Sequence, residues 1–541
     1  MILKLLIETF ISRKLVLLMS CAIGFVIILP YLYGYYTFNN QFSPLISNDN
    51  LSYLREGTYS YSAQVNQIIK GHLYGDAYVW EYKSGPSPFV GELASIIPIA
   101  VLSFLVRSVP DGFALATFAS SLILFIVIYS GLRIFRFPKY FSIFASTSTI
   151  IIPFFSSLLP YYSHNATQMT GGSQLPLFFF RIPNPLISSI YLFLSLFSTI
   201  YVLKKPSSKY FYLWPVIIGV SIYSSTFIMS TMLFALALLA PKLYSKIAKQ
   251  KLLISLFIII LITIPYLINF IFANILYKPK EFLLTFSFEP KIMFPAQIRY
   301  LLIALLLFWL RKKDTFSNVI FAFILSAAIL MDLHQVFFGR NLQADHYISR
   351  ILAPIATLSI FIITFNRIDL LKRTAKIWVF LTLIVLTLGF QQQLSWISLY
   401  SNDFKQLTYR KNIIDYINKN TDKNDVIGTL NPDVNDEIQA NTGRWVYIAP
   451  GDRTFVAHNE QLTRICDLAI LLNKKENDPE VKRAVYYSLA LESENVNKVN
   501  NSLDMVSQCL QKNTDVLHFK LDYLINNNDG LNNWDVIKIS D

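Results

Sequence analysis

The chain has 541 residues, of which 54% are hydrophobic and 15% charged, with a net charge of +13. Several apolar runs approach the roughly 20 residues that a helix needs to cross a bilayer, which excludes an ordinary water-soluble protein. Residues 402–541 contain 16 Lys and Arg against 21 Asp and Glu, so residues 1–401 hold the remaining 31 against 13. This excess of bases in short loops follows the positive-inside rule and does not indicate nucleic-acid binding.

The basic loops predict the topology in chain order. Bases precede the first apolar run, residues 15–36, and place the N-terminus in the cytoplasm. Residues 113–132 end at a second basic cluster, which is expected to be cytoplasmic. An odd number of crossings must therefore lie between the first external loop and that cluster, and residues 113–132 supply one. Residues 89–106 are therefore expected to lie in or along the membrane without spanning it.

The rest of residues 1–401 alternates between apolar runs and basic loops, giving about 11–12 apolar segments in all. The expected external loops are residues 37–88, 160–185, 277–297 and 333–350. Residues 402–541 then form a soluble domain on the external side, with a helical pattern at 409–420 and strand-like runs at 425–430 and 445–448. The expected fold is a mainly α polytopic membrane bundle with a C-terminal soluble α/β domain.

Cysteine usage is compatible with an exported domain. Cys466 and Cys509 are the only cysteines after residue 402, and Cys21 lies in the first apolar run. In an oxidising compartment Cys466 and Cys509 are candidates for a disulfide. Two separate buried thiols are the alternative.

Acidic side chains concentrate in residues 37–88. Asp49, Asp76 and Glu81 lie there, and Glu92 follows just beyond. Carboxylates at a membrane surface can bind a cation or take a proton from a sugar or lipid hydroxyl. For any one of them a solvated loop is the alternative, and Asp49, in a polar run soon after a membrane exit, is the strongest candidate.

Two predicted external loops carry basic side chains suited to a lipid phosphate through charge and hydrogen-bond donors. The candidates are His164, Arg181, Arg340, His346 and Arg350. The alternative is an interfacial loop whose bases extend toward water. The P-loop, Rossmann glycine, HExxH and paired CxxC motifs do not occur in the sequence, so it gives no support to an ATP-driven or zinc-hydrolase function.

The order of these features resembles the GT-C superfamily of membrane glycosyltransferases that use polyprenyl-phosphate sugars. The resemblance rests on an early external Asp49 in SNDNLSYL, on GHLYGDAYVWEYKSGPSP followed by an incompletely spanning segment, and on a terminal external α/β domain. It implies an integral protein of the cytoplasmic (inner) membrane that moves a sugar from a polyprenyl-phosphate carrier to an envelope glycan, lipid or protein. By this resemblance Asp49 is the catalytic base.

The other candidates are expected to be loop residues or to bind substrate. Asp76, Glu81 and His164 would contact substrate, and the arginines with His346 would hold the donor phosphate. Metal-dependent members of the superfamily place further acids in the second external loop, whereas residues 160–185 contain none. A mechanism without metal or other cofactor is therefore expected, with a divalent cation as the alternative.

Two other classes also fit many spans with polar external loops. A transporter or lipid flippase of envelope precursors is the non-enzymatic alternative, and it normally shows ionisable residues within spans or broken helices. The apolar runs here are nearly free of charge. A polysaccharide polymerase acting on a polyprenyl-linked substrate is the third alternative.

The topology gives the first testable prediction. A reporter that is active only after export should work when fused after Tyr400, because the basic loops place residues 402–541 outside. The measurement compares two fusions at Tyr400, one active only in the cytoplasm and one active only outside. Activity of the cytoplasmic reporter would contradict both the topology and the assignment of external site residues.

Overall fold

The chain folds into a helical bundle that carries a small mixed sheet near its C-terminus. The computed structural model describes residues 14–38, 52–85, 92–152, 179, 182, 184–276, 287–288, 294–310, 314–338, 341–342, 345–367, 375–399, 411–451, 454, 456–489, 496–512, 517–527 and 534–539.

The helices of the bundle and the segments that join them run in this order: α1 Lys14–Phe38, α2 Ser52–Ile69, α3 Leu93–Val106, α4 Val109–Ile134, α5 Lys139–Ile151, α6 Leu186–Lys204, α7 Leu213–Ser221, α8 Thr226–Lys246, α9 Lys249–Leu276, β1 Ser287–Phe288, α10 Phe294–Leu310, α11 Thr315–Phe338, β2 Asn341–Leu342, α12 Ala353–Arg367 and α13 Ala375–Leu399. Strands β1 and β2 pair antiparallel and join two of the predicted external loops.

Eight helices of the described ranges are long and apolar enough to cross a membrane: Lys14–Thr37, Val109–Ile134, Leu186–Lys204, Thr226–Lys246, Lys249–Asn269, Thr315–Val336, Ile348–Arg367 and Ala375–Ser398. The apolar helices Leu93–Val106 and Gln297–Leu310 are shorter. The chain is therefore an integral, polytopic membrane protein, as the sequence predicts.

Helix α3 is too short to span. Its 14 residues measure about 21 Å, against a hydrocarbon core of about 30 Å. At its start, Ala94 N donates to the carbonyl of Tyr223, which lies in the turn between α7 and α8. Beyond its end, Asp111 accepts a hydrogen bond from Tyr35, near the end of α1. The segment predicted not to span thus forms a short helix.

Small polar side chains allow close packing inside the bundle. Every residue of α5 from Phe141 to Ile151 is buried, although several are Ser or Thr. Ser146 and Thr149 donate to carbonyls four residues back, at 2.7 Å each. Such bonds satisfy the hydroxyl groups within the helix, so the helix can be buried among apolar neighbours.

The C-terminal part contains helices and a four-stranded sheet: α14 Lys411–Asn420, β3 Val426–Gly428, α15 Pro432–Thr442, β4 Trp445–Val446, α16 His458–Leu471, α17 Pro479–Leu489, α18 Val496–Lys512, β5 Tyr523–Asn527 and β6 Trp534–Lys538. The strand order is β4-β3-β5-β6, with β3 parallel to β4 and β5, and β6 antiparallel to β5. Apolar residues of β3 are buried against helices, as expected for a central parallel strand.

Helix α15 is polar in sequence and yet buried from Pro432 to Ala440. Its ends are well defined: the Asn431 side chain accepts from the backbone N–H of Asp433, and Gly443 ends the helix with φ +68°. A Cβ at residue 443 would lie 2.9 Å from Asn66 Oδ1, so glycine also permits the close approach of α2. The helix joins the C-terminal domain to the rest of the protein.

The disulfide candidates are bonded to each other. Cys466 on α16 and Cys509 on α18 form a disulfide with a Cα–Cα distance of 6.4 Å. The bond closes a loop with a sequence separation of 43 residues and crosses two helices that pack together.

Loss of this disulfide should lower the stability of the C-terminal domain. In the chain-entropy model a loop of this length contributes about 3–4 kcal/mol. We expect Cys466→Ser and Cys509→Ser each to lower the unfolding temperature of that domain, measured by thermal melts under non-reducing conditions. Cys21→Ser removes the free cysteine of α1 and is the matched control. Equal melting temperatures in all three variants would contradict the stabilising role.

Candidate functional site

The candidate site lies where α12 begins. A short helical turn, Asp345–Tyr347, continues into a π-helical turn, Ile348–Leu352, and then into α12. A π turn inserts one extra residue per turn and is frequent at functional sites. Arg350 occupies the middle of this turn, at the start of the candidate span Ile348–Arg367.

The Arg350 guanidinium is buried, with a side-chain exposure of 9%. Its Nη2 lies 3.2 Å from His346 Nε2, and its Nη1 lies 3.5 Å from Ser225 Oγ. Because a guanidinium only donates, His346 Nε2 must accept, which requires the neutral imidazole with its proton on Nδ1. The Phe227 ring lies 5.3 Å from Arg350 Cζ and covers the guanidinium from one side.

Glu92 provides the counter-charge. Its Oε1 lies 3.7 Å from Arg350 Nη1, which is an ion pair but too long for a hydrogen bond. The same oxygen accepts a short hydrogen bond, 2.7 Å, from Asn184 Nδ2, which also contacts the Tyr61 hydroxyl at 3.0 Å. The amide of Asn184 therefore holds the carboxylate more tightly than the arginine does.

Backbone contacts fix Glu92 in this place. Glu92 is the residue that precedes α3. The first turn of α3 is bonded to the turn between α7 and α8: Ala94 N donates to Tyr223 O at 2.9 Å, and Ser95 Oγ donates to Ser224 O at 2.9 Å. The carboxylate and Ser225 thus approach Arg350 from two elements that are bonded to each other.

This arrangement is suited to binding an anion. The contacts of Arg350 in the described residues, at 3.2, 3.5 and 3.7 Å, are all longer than the usual charge-assisted hydrogen bond of about 2.7–2.9 Å. The guanidinium therefore retains donor capacity in a desolvated place. A phosphate oxygen there would gain stronger bonds than in water.

A second ionisable group lies in the neighbouring helix. Asp332 on α11 accepts a hydrogen bond of 2.8 Å from Gln297 on α10. The apolar run ends at residue 331 in the sequence, but α11 continues through Phe338. Asp332 lies inside the candidate span Thr315–Val336, where a carboxylate is costly and often functional.

Asp76 lies at the junction between the loop after α2 and the C-terminal domain. It is 2% exposed, and its Oδ1 accepts from the backbone N–H of Tyr78 and Val79, at 2.7 and 3.0 Å. Its Oδ2 accepts from the Thr454 hydroxyl at 2.5 Å. Gly75, with φ +111°, allows the turn that precedes it. These contacts favour a structural role for Asp76 over the predicted substrate contact.

Glu81 also contacts the C-terminal domain. Its Oε2 lies 3.0 Å from Nη2 of Arg464, whose side chain is fully buried. Arg464 also pairs with Glu460 at 2.8 Å, and Glu460 in turn accepts from the Tyr82 hydroxyl at 2.5 Å. Burial together with this hydrogen bond raises the pKa of Tyr82. One buried arginine thus binds carboxylates from both sides of the junction.

The structure brings some of the predicted site residues together. His346 and Arg350 form one pair, whereas Asp76 and Glu81 contact the C-terminal domain. The predictions on Asp49, His164, Arg181 and Arg340 fall outside the described residues.

Sequence reasoning did not select Glu92, Asn184, Tyr61 or Ser225 as site residues. The available signal was the position of Glu92, an acidic residue directly before an apolar segment that is too short to span. The other three carry no pattern that distinguishes them from ordinary polar residues near a membrane surface.

Within the described ranges, no three His, Cys, Asp or Glu side chains converge as a metal site would require. Asp49 and His164 are not among those residues, so a mechanism without a cofactor remains a prediction. No protein-family model matches the chain, and no curated protein sequence matches it.

Lys70 is a half-buried cation at the junction. Its Nζ donates to the carbonyls of Lys423, at 2.8 Å, and Gly443, and lies 4.8 Å from the centre of the Trp445 ring. These contacts favour the ammonium form. Burial, followed by the charges of Arg444 and Lys423, outweighs them and lowers the pKa of Lys70 to about 7.

The lowered pKa predicts a pH-dependent junction. Between about pH 7 and the ordinary lysine pKa of about 10.5, the unfolded chain binds a proton that the folded Lys70 does not, so stability should rise with pH in this range. We expect the unfolding temperature of wild type to rise more between pH 7 and 10 than that of Lys70→Met. The exposed Lys419→Met is the control. Equal pH dependence in all three proteins would contradict this assignment.

Proposed function

We propose that the protein is an integral membrane glycosyltransferase of the GT-C type. It would move a sugar from a polyprenyl-phosphate carrier to an envelope glycan, lipid or protein. The observation that carries the proposal is Arg350, a buried guanidinium with spare donors at the start of a membrane helix. Lipid-linked phosphate is an anion that reaches this depth, because its prenyl chain lies in the bilayer.

The proposed reaction follows from the charge that develops. An acceptor hydroxyl attacks the anomeric carbon, the bond from that carbon to the phosphate oxygen breaks, and the phosphate leaves with the electron pair. Arg350, with His346 beside it, would stabilise the charge on the leaving phosphate. Asp49 would accept the proton of the hydroxyl. The roles of Asp49, His164, Arg181 and Arg340 rest on the sequence and the resemblance alone.

The proposal includes a cellular setting. The sugar transfer would take place at the external face of the cytoplasmic (inner) membrane, with the N-terminus inside and the C-terminal domain outside. Membrane lipid and the lipid-linked sugar donor are the proposed partners, and nucleic acid is not one.

A transporter or lipid flippase of envelope precursors is the second candidate, because of Asp332. A carboxylate within a candidate span, hydrogen-bonded to a neighbouring helix, is a common feature of transport pathways. A further observation in its favour is the break between α7 and α8 inside the bundle, where Ser221 contacts Ser195 of α6 at 2.8 Å.

Sugar transfer by variant proteins tests the proposal. We expect Asp49→Asn to lower the rate by about 100- to 10,000-fold, as loss of a general base does. Arg350→Ala should weaken donor binding, since a lost charge-assisted contact costs about 1.5–3 kcal/mol. The measurement is transfer from polyprenyl-phosphate sugars by purified protein of matched homogeneity.

Variants of the junction provide the control for that assay. Glu81→Gln changes a carboxylate that pairs with a buried arginine elsewhere, and it should keep more activity than Asp49→Asn. No transfer by wild type with any lipid-linked sugar, together with loss of substrate transport in Asp332→Asn, would overturn the transferase in favour of the transporter.

A further inference from the structure

The contacts of Glu92 differ from those of an ordinary structural ion pair. It neutralises Arg350 from 3.7 Å while its short hydrogen bond, 2.7 Å, goes to Asn184. In strong ion pairs the carboxylate contacts the guanidinium directly, frequently through two parallel hydrogen bonds. By contrast, Arg464 at the junction has carboxylates at 2.8 and 3.0 Å.

The distance has a consequence for an incoming anion. Because Glu92 does not accept a hydrogen bond from Arg350, an anion can bind the guanidinium without breaking one. Its charge would nevertheless lie close to that of the carboxylate, and like charges near each other in a desolvated place repel strongly. Asn184 keeps Glu92 from moving away, since the two side chains are joined and Asn184 is 1% exposed.

We propose that Glu92 is a fixed counter-ion that competes with a lipid-linked phosphate for Arg350. In the empty site it neutralises the buried arginine. In the loaded site its charge opposes the phosphate, which limits affinity and favours release of the lipid phosphate product. This inference rests on the proposed function for the identity of the anion, and it assigns to Glu92 and Asn184 positioning roles that the sequence does not reveal.

A purely structural role and a competing role of Glu92 predict opposite effects of its loss on ligand binding. If Glu92 only stabilised Arg350, its loss would leave an unpaired buried charge and would disturb the site. If Glu92 competes with the ligand, Glu92→Gln should bind a lipid phosphate more tightly than wild type. The glutamine keeps the size and can still pair with Asn184.

The experiment measures binding of farnesyl phosphate to the purified full-length protein in nanodiscs. We expect Glu92→Gln to bind about 10-fold more tightly, a change of about 1.4 kcal/mol, and Arg350→Ala to bind more weakly than wild type. Farnesol, which lacks the phosphate, should bind all variants equally, and inorganic phosphate shows whether the prenyl chain is needed. Glu480→Gln, which changes a carboxylate paired with Lys474 at 3.2 Å in the C-terminal domain, is the matched control and should leave the affinity unchanged.

A second variant, Asn184→Ala, tests the proposal even if Glu92→Gln does not fold. In Asn184→Ala the carboxylate is no longer held by the amide and can contact Arg350 directly, so farnesyl phosphate should bind more weakly than to wild type. Unchanged or weaker binding in a folded Glu92→Gln, or tighter binding in Asn184→Ala, would overturn the proposal. Absence of phosphate-dependent binding in every variant would also overturn it.

The outcomes separate this inference from the proposed function. Tighter binding by Glu92→Gln without any sugar transfer by wild type would support the counter-ion role and contradict the transferase. Sugar transfer by wild type with unchanged affinity in Glu92→Gln would support the transferase and contradict the counter-ion role.

Discussion

The burial of one positive charge is the constraint on which this end of the bundle depends. A guanidinium cannot lose its proton in a protein, so Arg350 must be neutralised wherever the fold places it. Glu92 supplies the charge, and Asn184 fixes Glu92 by a 2.7 Å hydrogen bond. Because Glu92 directly precedes α3, the ion pair also joins the short helix to the π turn and so connects three distant parts of the chain.

The segment after α2 packs against the C-terminal domain. Tyr78 and Val79 belong to one apolar cluster with residues of β3 and β4, and Val446 N donates to Tyr78 O at 3.0 Å. The segment after α2 is thus part of the core of the C-terminal domain.

The sequence predicted what depends on local composition. Apolar runs of sufficient length predicted the spanning helices, and the count of basic loops predicted that residues 89–106 do not cross. The site was harder to predict from the sequence, because Glu92 and Asn184 are 92 residues apart and no periodic pattern relates them. Helix α15 was missed for a related reason: its polar side chains are buried against partners such as Ala77 and Tyr487, which only the tertiary fold supplies.

A half-buried lysine and a buried arginine show how the type of side chain decides whether a positive charge persists. The pKa of Lys70 falls to about 7 through burial and neighbouring charges, so this lysine is partly neutral near physiological pH. Arg350 is buried more deeply and has His346 within 3.2 Å, and a guanidinium, unlike an ammonium, is a permanent cation in proteins. A permanent cation that is buried requires a counter-charge, which Glu92 supplies from 3.7 Å.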